Sequence, residues 1–139
     1  MGAKSGTTSH MADLGLWVQA DSGQELFAAA ADALARLMYQ GPRHGKMEWL
    51  PFSTGGADQA ELMVQLLAEV VYLADAEQRL VADVQIMELT HAGLEAKLGV
   101  VPLDPAHHLP GEPVKAVTYH GASVSQSGGQ WKAQVVLDI

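Results

Sequence analysis

The chain has 139 residues, 48% of them apolar, the size and composition of one globular domain rather than a disordered segment. Eight basic residues against sixteen acidic ones give a net charge of −8. That balance argues against a surface that grips nucleic-acid phosphates with its own Lys and Arg, and favours contact with a basic protein or a metal ion. The absence of cysteine excludes disulfides, thiolate metal sites and Cys nucleophiles.

No stretch has the apolar length of a signal core or a membrane span, so a soluble cytoplasmic protein is expected. The first nine residues, MGAKSGTTS, are small and polar and read as a flexible segment ahead of a single domain over 10–139. Leu14, Leu16, Val18 and Ala20 alternate with Gly15, Trp17 and Gln19, the period of a half-buried strand. Ser22 and Glu25 then have capping-box spacing, and Leu26, Phe27, Ala30, Leu34, Leu37 and Met38 fall on one helical face. Gln40-Gly41-Pro42 should end that helix.

Lys46 to Phe52 reads as a short strand and Ser53-Thr54-Gly55-Gly56 as a turn. Asp58 and Glu61 repeat the capping spacing ahead of Leu62, Met63, Leu66, Leu67, Val70, Val71 and Leu73, an apolar face wide enough to be well buried. Leu80 to Leu89 and Leu94 to Leu98 read as strands joined at Thr90-His91-Ala92-Gly93. Pro102 to Pro113 is a connection of the length that is usually functional or disordered. Lys115 to Ser125 and Gln130 to Ile139 complete a hairpin through Ser127-Gly128-Gly129. This order predicts an α+β fold, with two helices packed on one face of a mixed, mostly antiparallel sheet.

The last segment, KAQVVLDI, ends on Asp138-Ile139. A strand that stops there sets the Asp138 side chain beside a main-chain carboxylate, and hard oxygen donors on a rigid element are the raw material of a Ca²⁺ or Mg²⁺ site. No Ser-His-Asp spacing, Gly-rich phosphate loop or zinc motif competes with it. His107 and His108, as neighbours, point apart and suit a loop better than one shared ion. Trp17, Trp49 and Trp131 read as packing residues rather than a base-stacking platform.

Three segments together carry a resemblance. Ser9 to Gly15 reads SHMADLG, Lys115 to His120 reads KAVTYH, and Val135 to Ile139 reads VVLDI. In this order they resemble archease, the protein cofactor of the GTP-dependent tRNA-splicing RNA ligase. The family's opening motif, His-Thr-Ala-Asp-hydrophobic-Gly, is matched at His10, Ala12, Asp13 and Gly15, with Met11 in place of Thr. The Lys-Ala-Val-Thr-Tyr-His run is matched in full, and Glu69 and Tyr72 match its second helix. The chain departs from the pattern at Leu66, usually Trp, at Ala68, often Asn, and around Gly99 to Leu103, where a Gly-Glu step is missing.

The resemblance implies a two-layer archease-like fold and a divalent metal held by Asp13, Asp138 and the Ile139 carboxylate, with Ca²⁺ first and Mg²⁺ or Mn²⁺ as substitutes. It implies a non-enzymatic role, promoting guanylylation and multiple turnover of the ligase partner, with no sequence-specific nucleic-acid binding of its own. His10, Lys115 and His120 are candidates for partner contact or for support of the metal residues. His120 reads equally well as a strand histidine bonded within the sheet. A small metal-dependent hydrolase using Asp13, Asp138 and His120, and a metal-independent chaperone-like module, are the alternatives.

Overall fold

Two antiparallel sheets and two helices make up the computed structural model, which describes residues 2–10 and 13–139. The elements in chain order are β1 (Lys4–His10), β2 (Asp13–Ala20), α1 (Gly23–Met38), β3 (Tyr39–Gln40), β4 (Glu48–Gly55), α2 (Gln59–Asp75), β5 (Arg79–Leu89), β6 (Gly93–Pro102), β7 (Leu109–Pro110), β8 (Ala116–Ser127) and β9 (Gln130–Asp138). One sheet runs β1-β2-β9-β8, the other β4-β6-β5, and β3 pairs with β7 as a short clasp. The predicted α+β class with two helices and antiparallel pairing is what is found. The single mixed sheet is instead two sheets, and every described pairing is antiparallel.

Both helices begin as their spacing dictates. The Ser22 hydroxyl accepts from the Glu25 N–H at 3.1 Å while Glu25 accepts from the Asp21 N–H at 2.9 Å. Asp58 accepts from the Glu61 N–H at 2.9 Å and Glu61 from the Ala57 N–H at 2.6 Å. Each exchange satisfies amide groups that a helix start leaves without partners. α1 packs on β2 and β5, and α2 packs on β8 and β5 and against α1. That double contact explains why α2 buries more than one stripe, from Leu62, Met63 and Val64 through Leu73 and Ala74. Leu66 is fully buried there, so the position is a core position whichever large side chain fills it. Leu14, Leu16 and Val18 of β2 and Ala133, Val135 and Leu137 of β9 supply the sheet side of the same core.

Three features differ from the sequence reading. β1, which takes in most of the first nine residues expected to be flexible, pairs with β2 along its whole length, from Lys4 opposite Gln19 to His10 opposite Asp13. Its Gly, Ser and Thr residues carry no apolar alternation because β1 is an outer strand. Ser53, Thr54 and Gly55 continue β4 opposite Glu95, Leu94 and Gly93 rather than forming a turn. The Pro102–Pro113 connection is anchored rather than loose, because β7 pairs with β3 and His108 is buried. The closing hairpin turns at Gly128 and Gly129, whose φ values of +59° and +78° are those a two-residue primed turn requires. Among the described residues no helix is long and apolar enough to cross a membrane.

Candidate metal centre

Asp13 opens β2 and Asp138 closes β9. The antiparallel register sets them directly opposite each other. On the far side of β9, Ala116 pairs with Asp138, and the Lys115 N–H donates to the Asp138 carbonyl at 2.7 Å. On the far side of β2, His10 pairs with Asp13. The backbones of His10, Asp13, Asp138 and Lys115–Ala116 therefore form a row across the end of one sheet.

Alternation decides which way the two carboxylates face. Leu14 and Leu137, the next residues inward, are buried in the core, so Asp13 and Asp138 belong to the opposite face. Directly opposed residues share a face with Cβ atoms about 4.5–5.5 Å apart. Asp13 is exposed and Asp138 half-buried, while Ile139 packs back against the core and so fixes the end of β9. Two like charges placed opposite each other cost stability unless a cation offsets them. Among the described residues no three His, Cys, Asp or Glu side chains gather as a ligand set. The edge offers two carboxylates, with further oxygen donors to come from main chain or water, a donor set that suits a hard cation and not Zn²⁺. Of the opening motif, Met11 and Ala12 lie outside the described residues, and His10 is placed by its backbone alone.

The other predicted residues divide. Lys115 is exposed at the edge. His120 is not part of the row. β8 loses register with β9 between Thr118 and Ser123, and His120 lies exposed in that irregular stretch, its carbonyl accepting from the Thr118 hydroxyl at 3.2 Å. The same irregularity carries Tyr119 to the start of α2, where its hydroxyl donates to Glu61 at 3.3 Å. The KAVTYH run thus has two ends with different surroundings, Lys115 at the carboxylate edge and Tyr119 at the α2 cap.

Sequence reasoning missed the ground beside Lys115. A cleft of about 470 Å³ lies there, lined among others by Tyr39, Asp75, Pro110, Glu112 and Lys115. Its residues come from the ends of both helices and from the long connection, which no sequence spacing relates. The connection is tied to the end of α1 at this wall. The Gly111 N–H donates to the Met38 carbonyl at 2.7 Å, and that of Glu112 donates to the Leu37 carbonyl at 2.9 Å. Farther up α2, partial burial and then the nearby Glu77 carboxylate push the Glu69 carboxyl above its usual range.

The model of the archease protein family (MTH1598/TM1083) matches residues 6–139, which include the carboxylate row, Lys115 and the α2 cap. The chain belongs to the archease family. It is 35% identical to protein archease of Pyrococcus abyssi over 94% of both chains, and 32% identical to protein archease of Methanopyrus kandleri over 94% of this chain and 95% of that one. The fold is that of two solved structures. Protein 1598 of Methanobacterium thermoautotrophicum superposes with a TM-score of 0.76 at 24% identity, covering 99% of each chain. A Thermotoga maritima protein described as an archease, possible chaperone, superposes with a TM-score of 0.65 at 17% identity, covering 95% of this chain and 94% of that one.

Proposed function

We propose that this archease-family chain is a cytoplasmic protein cofactor that activates a GTP-dependent tRNA-splicing RNA ligase, promoting its guanylylation and multiple turnover without catalysing a reaction itself. The observation that carries the reading is the register pair Asp13–Asp138, which sets two carboxylates on one face at the end of a sheet. Asp13 and Asp138, with Ile139 beside them, would hold a divalent ion, Ca²⁺ foremost with Mg²⁺ or Mn²⁺ as substitutes. Bound there, the ion supplies positive charge that organises an otherwise self-repelling edge as a docking surface. Lys115 adds a cation next to that edge, and the exposed His120 and Tyr119 extend the contact surface along β8.

The acidic balance of the chain supports a basic protein as partner rather than the RNA itself. The test is guanylylation of the cognate ligase with and without this protein, before and after chelation. Acceleration that disappears on chelation and returns with Ca²⁺ is expected. Acceleration indifferent to chelation contradicts the metal edge and supports a metal-independent chaperone-like module. Phosphoester turnover by the isolated protein supports the metal-dependent hydrolase instead.

A further inference from the structure

We propose that His44 and His107 form a second metal site, chemically unlike the carboxylate edge, that takes imidazole-seeking ions such as Zn²⁺, Ni²⁺ or Cu²⁺ and clasps two loops together. The rings lie with centroids 5.4 Å apart and planes inclined at 77°. Two imidazoles on one tetrahedral ion, with metal–nitrogen bonds of roughly 2.0–2.1 Å, hold their centroids about 5 Å apart. The inclined planes are compatible with this, because each ring turns freely about its own metal–nitrogen axis.

The pair is prepared by its surroundings. His107 Nδ1 lies 2.8 Å from Asp104 Oδ2, and a carboxylate only accepts, so Nδ1 carries the hydrogen and Nε2 is the nitrogen of the neutral ring left to bind an ion. A carboxylate behind a histidine in this way is the usual support of a metal-ligating imidazole. Both histidines are exposed, leaving the remaining coordination positions to water.

The two loops do not depend on the ion to meet. His108 Nε2 bonds the Pro42 carbonyl at 2.8 Å, while its Nδ1 accepts from the Asp104 N–H at 2.9 Å. β3 pairs with β7 on the other flank. Gly41, at φ +117°, passes so close to the His107 carbonyl that a Cβ there would collide with the oxygen. The geometry is therefore set by protein contacts, and an ion would add a closing tie between 41–45 and 104–108, upstream of Lys115.

The experiment is a Zn²⁺ titration by calorimetry in excess Ca²⁺, which occupies the carboxylate edge, with the histidine ring nitrogens followed by NMR. One Zn²⁺ per chain is expected, with the His44 and His107 nitrogens shifting and Asp138→Ala leaving the affinity unchanged. His44→Gln and His107→Gln should each weaken binding at least about tenfold, and Asp104→Asn about 10–100-fold, the usual loss when such a supporting carboxylate is removed. Circular dichroism of each variant separates loss of a ligand from loss of fold, and His44→Ala gives a second reading should one variant unfold. No Zn²⁺ binding, equal affinity in the histidine variants, or shifts confined to other histidines would overturn the proposal.

Discussion

Replacing either edge aspartate by asparagine should stabilise the metal-free protein while abolishing its response to Ca²⁺. Asp13 and Asp138 are direct cross-strand partners, so their Cβ atoms are about 5 Å apart, which sets the scale for the separation of their charges. At the dielectric constant of water two unit charges at that distance repel by about 0.8 kcal/mol. Salt lowers this, and Asp13 is exposed, which leaves a few tenths of a kcal/mol, within the range of like-charge cross-strand pairs. For a chain of this length the gain in Tm is about 1–3 °C. Asn keeps the shape and removes the charge, so Asp13→Asn and Asp138→Asn should give similar gains when melted in EDTA. In Ca²⁺ at about 100 times its Kd the order reverses, since wild type gains about 2.7 kcal/mol from the bound ion and the variants do not. Thermal melts by circular dichroism, with EDTA and with Ca²⁺, read both effects. Variants less stable than wild type in EDTA, or equally responsive to Ca²⁺, would refute the opposed-carboxylate reasoning.

Three further outcomes follow from the geometry. Asp58→Ala removes the cap of α2 and should cost about 1 kcal/mol, read as a lower urea midpoint with unchanged m-value. The Glu69 carboxyl is raised, so its contribution is fully present below the unfolded value of about 4.3 and lost as pH rises through the folded value. Glu69→Gln should therefore be more stable than wild type at about pH 7, with the advantage gone below about pH 4, in urea titrations at the two pH values. Gly111→Ala drives a Cβ into the Leu37 carbonyl oxygen, so the loop leading to Lys115 must shift. A loss of about 1–3 kcal/mol and weaker ligase stimulation at a temperature where the variant is folded are expected.

What the sequence made legible was local chemistry. Both helix starts were readable because a cap needs only residues three apart, and Ser22–Glu25 and Asp58–Glu61 form the bonds their spacing implies. The β2, β5, β6 and β9 strands were readable from apolar alternation against one core. β1 was not, because an outer strand of Gly, Ser and Thr has no alternation to read. Ser53–Gly55 looked like a turn by composition, but Leu50 and Phe52 pack against the core and carry the strand onward. The anchoring of the long connection depends on His108 reaching Pro42, and no local pattern announces a contact between residues so far apart in sequence. At the site, the Asp-Ile ending pointed to Asp138, and the family motif pointed to Asp13. Their direct opposition is a matter of strand register, which only the fold supplies. His120 shares a motif with Lys115, yet the break in β8 pairing keeps it out of the carboxylate row.

If the carboxylate edge is the working surface, ligase guanylylation depends on it. Single-turnover rates should be compared for wild type, Asp13→Ala and Asp138→Ala, all with the cognate ligase and Ca²⁺. Wild type should accelerate the reaction, and both altered proteins should lose most of that acceleration while their folds persist. Equal acceleration by all three would contradict the carboxylate edge, and no acceleration by wild type would contradict the proposed function itself.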